Sequence, residues 1–364
     1  MTDPRPFRPD WVSVPGDTIA DLLEERGWSQ QDLATRTGFT KKHVNDLVRG
    51  KVPISPEAAQ RLSTVLGSTT EFWLTREAKY RAGLEHERAL EAHAADAGWL
   101  AELPVAWMVS RGLIASVASK PAKVDALLRW FGVASVPAWR ETYAQPLAAF
   151  RASVKVDKRL GAVAAWLRAA ELEAATIDCA PFNVSAFREA LVSIRALAAE
   201  ADPQVFVPQL QSLCAACGVA VVFVPAPPGC PIHGATRWLT SDKALLALSV
   251  RYKSNDQLWF SFFHEAAHLI KHGKKLLVIE GLDGLDQDKE DEANRFAADV
   301  LVPPEHASQL QLLRTEAEVS AYAGQVGVAP GILVGRMQHD RFITHAQMNG
   351  LKVRYAWAEE TARV

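Results

Sequence analysis

Apolar residues near the start of the chain recur at helical spacing, in short bursts separated by turn residues. This pattern runs from Asp17 to Leu66 and predicts a bundle of four or five short helices. A second stretch, from about Leu84 to Glu200, is rich in alanine, leucine and tryptophan and also predicts helices. Four of its prolines suit helix starts, namely Pro104, Pro121, Pro137 and Pro181.

Strands are predicted beyond Pro203, where the pattern changes. The β-branched run Val219–Val224 predicts a buried strand, and Ala244–Val250 predicts a second one. An amphipathic helix should then run from about Asn255 to His272, and Gly273 should end it. The region therefore combines strands with helices.

The last part of the chain begins with an acidic stretch at residues 281–288. It lacks the spacing of a calcium-binding loop, so we interpret it as a solvated linker. A helix is predicted from about Lys289 to Leu301, and the Pro303-Pro304 pair should stop it. Two or three closing helices complete the prediction.

Composition narrows the class of protein. The 364 residues are 49% hydrophobic and 23% charged, with a net charge of -2, which is typical of a globular protein and excludes a disordered or fibrous one. No signal-peptide pattern and no run of eighteen uncharged apolar residues is present, so we expect neither secretion nor membrane spanning. The four cysteines are then expected to be reduced thiols in the cytoplasm.

The predicted helix from Asn255 carries the motif His264-Glu265-x-x-His268. Four residues along a helix span about 400 degrees, so the two imidazoles lie roughly 40 degrees apart on one face and can reach one ion. A hydrolytic zinc ion takes three protein ligands and one water, and Glu265 would be the general base beside that water. A chance match on an ordinary helix is the alternative.

The third ligand must come from elsewhere, because Lys271 and Lys274 stand where the metzincin pattern requires glycine and histidine. Glu290 and Glu292 are the candidates. We favour Glu290, because Asn294 lies four residues on and can support the outer nitrogen of a ligand histidine.

His272 also lies on this helix, four residues beyond His268. It is about 12 Å from His264 along the axis, so the three histidines cannot share one ion. We expect it to interact with the helix C-terminus instead.

These motifs, followed by Leu301-Val302-Pro303, resemble the ImmA/IrrE family of zinc metallopeptidases over about residues 203–364. The resemblance implies zinc held by His264, His268 and Glu290, with Glu265 catalytic. Family members are associated with cleaving helix-turn-helix repressors in stress or mobile-element responses, so it also implies a protein substrate.

The segment Gly27–Thr40 has the pattern of a capped helix, a glycine turn and the cap of a second helix, as in a helix-turn-helix. Between Arg36 and Lys51 basic residues outnumber acidic ones five to one, which favours DNA. A face used only for protein contacts is the alternative. The residues predicted to contact DNA are Gln30, Thr40, Lys41, Lys42, His43, Asn45 and Asp46.

Residues 15–80 resemble HigA-type antitoxins of the lambda-repressor-like class. The resemblance rests on Pro15-Gly16, Asn45-Asp46-Leu47, Gly50-Lys51 and Glu71-Phe72-Trp73-Leu74. It implies a homodimer, formed through this domain, that binds operator DNA.

Three weaker features remain. Cys214 and Cys217 have C-x-x-C spacing, but packing at a helix end is the favoured interpretation over a redox pair. Cys230 and His233 lie in a predicted loop that would border the cleft, where the Cys230 thiol is an alternative, inhibitory metal ligand. An oxyanion stabiliser is not fixed by spacing, and the candidates by neighbourhood are Arg237, Tyr252 and His233.

The fold class predicted is multi-domain and mainly α. Residues 1–83 form a lambda-repressor-like helix-turn-helix domain, residues 84–200 a helical middle region, and residues 201–364 an α+β zincin-like metallopeptidase domain with a small sheet. The predicted function is a DNA-binding regulator with a zinc endopeptidase that cleaves a helix-turn-helix repressor or itself, in a stress or toxin-antitoxin type response. The alternatives are a HigA-like regulator whose metal domain senses a signal without turnover, and an adaptor acting through the middle region.

Overall fold

The computed structural model describes residues 13–145, 147, 157–272, 278–279 and 287–357. Contacts group these residues into two compact units. The first comprises the described residues up to Ala97 together with Ser119–Asp125, and the second comprises Gly98–Ala118 and the described residues from Ala126 onward. The predicted division into three domains, with boundaries after residues 83 and 200, is not tested by these two units and stays a prediction.

The first unit contains five complete helices, and the predicted short-helix bundle is confirmed. They are α1 Pro15–Arg26, α2 Gln30–Thr37, α3 Lys41–Val48, α4 Pro56–Leu66 and α5 Thr70–Ala95. Side chains define their starts: Ser29 and Asp32 form a capping box on α2, and the Thr40 hydroxyl accepts from the His43 N–H on α3. Gly38 joins the two helices at φ 71°, which a glycine adopts without strain.

The core of this unit is a single cluster of aliphatic side chains closed by one tryptophan. Its fully buried members include Ile19, Leu33, Val44, Leu62 and Trp73. Because Val44 is buried on one side of α3, the opposite side of that helix is left to the solvent.

Three of the four predicted prolines lie at the starts of the helices that follow α5, whereas Pro181 precedes a helix that begins at Val184. Pro104 caps α6, and Pro121 and Pro137 lie in the first turns of α7 and α8. These helices and the next three are α6 Val105–Ser110, α7 Lys120–Phe131, α8 Val136–Trp139, α9 Asp157–Ala175, α10 Val184–Leu197 and α11 Pro203–Ala215.

A four-stranded sheet lies at the centre of the second unit, in the order β1-β3-β2-β4. The strands are β1 Val219–Phe223, β2 Gly234–Trp238, β3 Ala244–Leu248 and β4 Val278–Ile279. The two predicted strands are β1 and β3, which pair in parallel and are almost wholly buried. β2 was not predicted; it runs antiparallel to both of its neighbours, β3 and β4.

Five helices follow in the described part: α12 Asn255–Lys271, α13 Gln287–Leu301, α14 Pro304–Ala307, α15 Glu316–Val326 and α16 Pro330–His339. The predicted helices at Asn255 and Lys289 correspond to α12 and α13. The predicted stop at Gly273 and most of the acidic stretch, residues 281–286, lie outside the described residues. α12 packs against α13, α16 and the sheet, and nearly all of its residues are buried.

The fold class is therefore confirmed as mainly helical, with a helix-turn-helix domain and a later α+β domain that carries a small sheet. Among the described helices, none combines the length and the apolar character needed to cross a membrane.

Candidate functional site

Three predicted ligand atoms meet between α12 and α13. His264 Nε2 lies 3.0 Å from His268 Nε2, and these two nitrogens lie 3.3 Å from Glu290 Oε2 and Oε1 respectively. The helix places the two rings on one face because they are four residues apart. Within the described residues, these three form the one group of side chains found able to hold a metal ion.

The spacing of these side-chain atoms fits a zinc ion. Zinc–nitrogen and zinc–oxygen bonds of about 2.0–2.2 Å in a tetrahedron separate the ligand atoms by roughly 3.3–3.6 Å. The observed separations of 3.0–3.3 Å, which involve both oxygens of Glu290, are close to this range, so one small ion can reach the two Nε2 atoms and a Glu290 oxygen with only slight expansion.

Burial and hydrogen bonding favour the ionisation states that a metal needs. Burial lowers the pKa of His268, against the opposing effect of Glu290, so the ring tends to be neutral. Burial would raise the pKa of Glu290, but the interactions of its carboxylate with His264 and His268 outweigh it and lower the value to about 2. A neutral imidazole and a charged carboxylate are the forms that bind zinc.

Asn294 lies where the sequence predicted a supporting group. Its Oδ1 is 2.9 Å from His264 Nδ1. An amide oxygen can only accept, so Nδ1 of His264 carries the hydrogen and Nε2 presents its lone pair. Glu292, the other carboxylate candidate, points elsewhere and contacts Lys271 and His272.

Glu265 is fully buried on α12, beside β2. A Cβ atom added at Gly234 would lie 2.8 Å from both Cγ and Oε1 of Glu265. The bare backbone of β2 thus packs directly on the carboxylate that the sequence assigns as general base. Nothing in the linear motif indicates this contact.

The three oxyanion candidates lie in different surroundings. Arg237, on β2, forms an ion pair with Glu171, which engages its guanidinium. The rings of His233 and Tyr252 pack edge to face, with centroids 4.9 Å apart, and about half of Tyr252 is exposed. Arg237 is therefore the poorest of the three for meeting a substrate.

A groove of about 840 Å³ runs beside the metal-ligand cluster. It shares Asn294 with the site, and His233 and Tyr252 lie in its wall. Its lining includes the basic residues Arg295, Arg336, Lys352 and Arg354 and the acidic residues Asp256 and Asp299. The volume suits several residues of an extended peptide.

Three of the four cysteines behave as packed side chains. Cys214 and Cys217 are buried at the end of α11, and burial raises the pKa of both thiols. Burial also raises the pKa of Cys230 to about 11, which keeps it a neutral thiol and a poor metal ligand.

In the first unit, the predicted DNA-contacting residues lie at the start of α2, at the N-cap of α3 and along α3, where Asn45 and Asp46 are in the second half of the helix. Lys41 and Lys42 are exposed, and Asn45 Nδ2 donates to Gln30 Oε1 at 3.2 Å, so the two helices share a polar contact. The Thr40 hydroxyl caps α3, the His43 ring packs on Phe39, and Asp46 is half-buried.

Comparison with known proteins agrees with both parts. Residues 19–74 match the family described as Helix-turn-helix, and residues 224–330 match the IrrE N-terminal-like domain of the M78 peptidases. The chain therefore joins a helix-turn-helix domain to an IrrE-like, metallopeptidase-like domain.

A relative named "Uncharacterized HTH-type transcriptional regulator YddM", from Escherichia coli (strain K12), is 35% identical over 60 residues. These cover 16% of this chain and 64% of the relative, which is less than two thirds of its length. The similarity thus concerns a short part of the chain, and together with the helix-turn-helix match it supports DNA binding.

Proposed function

We propose that the chain is a DNA-binding transcription regulator whose IrrE-like domain is a zinc-dependent endopeptidase. The observation that carries the proposal is the convergence of His264, His268 and Glu290 in the domain that holds the buried Glu265. Two histidines and a carboxylate, with a glutamate following the first histidine, are the residue set of hydrolytic zinc sites.

Each residue has a definite role in this proposal. His264, His268 and Glu290 hold zinc, which when bound lowers the pKa of a coordinated water to about 7. Glu265 accepts a proton from the attacking water and then donates it to the leaving amide nitrogen. Gly234 lets the backbone of β2 lie against the Glu265 carboxylate and limits its movement.

The substrate would be a protein, namely a helix-turn-helix repressor or a second copy of this chain. A helix-turn-helix domain in the same chain as a peptidase-like domain supports regulated cleavage of transcription factors over general digestion. The groove beside Asn294 offers room for an extended segment of such a substrate. The output would be release of repression in a stress or toxin-antitoxin type response.

The first unit would bind double-stranded operator DNA as a homodimer. The exposed Lys41 and Lys42 at the start of α3 support this, since the N-terminal part of a recognition helix meets the major groove. Asn45 and Gln30 support each other there and would hold a fixed geometry toward the DNA.

The test uses the full-length protein and its Glu265→Gln variant. Metal analysis should find about one zinc per chain in both. Incubation with the helix-turn-helix repressors encoded beside its gene, and alone, should give a discrete fragment by mass spectrometry for the native protein only. A folded protein that binds no zinc, or equal cleavage by the variant, contradicts the proposal.

A second candidate is a transcription regulator whose metal domain senses a signal without turnover. The relative favours it, because its name describes a transcriptional regulator and mentions no peptidase. In this case Glu265→Gln would leave regulation of the operator unchanged in cells, whereas loss of regulation supports the peptidase.

A further inference from the structure

The outer nitrogens of the two ligand histidines are supported in different ways. His264 Nδ1 meets the Asn294 amide oxygen. His268 Nδ1 instead lies 2.8 Å from Nδ1 of His272, a second histidine one turn further along the chain. A ring nitrogen can donate or accept, so His272 fixes His268 only if something fixes His272.

Glu292 does so. His272 Nε2 lies 3.2 Å from Glu292 Oε2, and Lys271 Nζ donates to the other oxygen, Oε1, at 2.7 Å. The His272 side chain is almost fully buried, whereas the carboxylate of Glu292 is partly exposed. The chain of contacts therefore runs from the proposed metal site to the surface.

The direction of these hydrogen bonds follows from the carboxylate. Charged Glu292 can only accept, so a neutral His272 donates from Nε2 and presents a lone pair at Nδ1. That lone pair accepts the hydrogen on His268 Nδ1. His268 Nε2 is then left with its lone pair directed toward His264 and Glu290, as a metal ligand requires.

We propose that His272 and Glu292 are positioning residues that fix the tautomer and ring orientation of His268 for metal binding. The inference rests on the proposed zinc site but not on peptidase turnover. α13 then contributes to the site three times within two turns: Glu290 as ligand, Glu292 through His272, and Asn294 on His264.

Zinc affinity of the full-length protein, measured by competition with a chelator, tests the role. We expect His272→Phe, which fills the space but cannot accept, to raise the zinc dissociation constant about 10- to 100-fold. His272→Gln keeps an acceptor and should recover most of the loss. Glu292→Gln should have a smaller effect in the same direction. His339→Gln, which removes an exposed histidine elsewhere, is the matched control and should have no effect.

A second readout needs no metal. Nitrogen NMR of the metal-free protein distinguishes histidine tautomers, and we expect His268 to carry its hydrogen on Nδ1 in the native chain and in His272→Gln. In His272→Phe the two tautomers should mix. Unchanged tautomers together with zinc affinities within twofold of the native value in all variants would overturn the proposal. Glu292→Gln, at a partly exposed site, decides the matter if His272→Phe does not fold.

Cleavage is not measured in either experiment. A chain that binds zinc and loses affinity in His272→Phe, yet cuts no substrate, would refute the peptidase and leave this positioning role intact. Absence of zinc binding in the native chain would refute both.

Discussion

At the scale of single residues, the contact between Gly234 and Glu265 is the feature with the sharpest consequence. The general base must stay within reach of a water and of a leaving group, and small displacements of such a group cost large factors in rate. The structure holds the carboxylate by packing a backbone against it, without the bulk of a side chain.

We therefore expect Gly234→Ala to reduce cleavage at least tenfold, because the new methyl group would lie 2.8 Å from the Glu265 carboxylate. Zinc content should be unchanged, since no ligand moves. Gly324→Ala is the control: an added Cβ there has no neighbour within 4 Å, and alanine favours the helix. Full activity in Gly234→Ala would show that the contact is unimportant.

Tyr355 gives a prediction about pH. Its ring packs near Phe206, its hydroxyl has no hydrogen-bond partner among the described residues, and burial raises its pKa to about 12. The folded state favours the protonated phenol, so its contribution to stability is intact below the ordinary pKa of about 10 and is lost as pH rises toward 12.

Tyr355→Phe should change the free energy of unfolding by less than about 1 kcal/mol at pH 7, because it removes an unsatisfied group. Between pH 10 and 12 the variant should lose less stability than the native protein in urea denaturation. Parallel losses in both proteins over that range would contradict the assignment.

The sequence predicts part of the site at this scale. Histidines four residues apart on one helix must share a face, and Asn294 four residues after Glu290 singles out that carboxylate. The contacts of Gly234 and His272 could not be predicted. The first depends on how β2 lies against α12, and the second depends on a carboxylate twenty residues away on another helix.

At the scale of elements, α13 is held at its far end by one side chain. Arg195, on α10, donates from Nε to the Val300 carbonyl and from Nη2 to those of Leu301 and Val326. It satisfies the last carbonyls of α13 and of α15, which would otherwise lack partners.

We expect Arg195→Met to lower the free energy of unfolding by about 2–3 kcal/mol, because charged hydrogen bonds to half-buried carbonyls are lost. Urea denaturation of the metal-free protein measures this directly. Arg188→Met, at an exposed position of the same helix, should cost under about 0.5 kcal/mol. Equal effects of the two substitutions would mean that Arg195 contributes only its packing.

The sequence predicts the strands that are buried on both faces and misses β2, which is only partly buried. β1 and β3 are continuous apolar runs because neighbours cover both faces, so sequence reveals them. β2 reads Gly-Ala-Thr-Arg-Trp, and its last two residues are only partly buried, so neither a run nor a clear alternation marks it. β2 forms because it pairs with β3, and the local sequence of a strand carries no information about its pairing partner.

At the scale of the whole molecule, DNA binding and peptide cleavage are proposed for separate units, so a substitution should be able to remove one activity and leave the other. Lys41→Ala with Lys42→Ala should weaken operator binding and reduce the slope of log affinity against log salt by up to about 2, if both contact phosphates. Fluorescence anisotropy at several salt concentrations measures this.

Cleavage by the same double variant should be unchanged, and Glu265→Gln should bind the operator like the native protein. An unchanged salt slope in the double variant would remove α3 from the DNA interface and favour a protein contact on that face.

The position of α13 is also a thermodynamic variable. Its side chains provide one proposed ligand and support both ligand histidines, while Arg195 donates hydrogen bonds to its C-terminal carbonyls. Sliding the helix by one residue's rise, about 1.5 Å, would disturb all of these contacts together. Zinc affinity and the position of α13 are therefore reciprocally linked. A bound ion should stabilise the Arg195 hydrogen bonds at the C-terminal end of the helix. In turn, Arg195→Met should weaken zinc binding although Arg195 contacts no ligand.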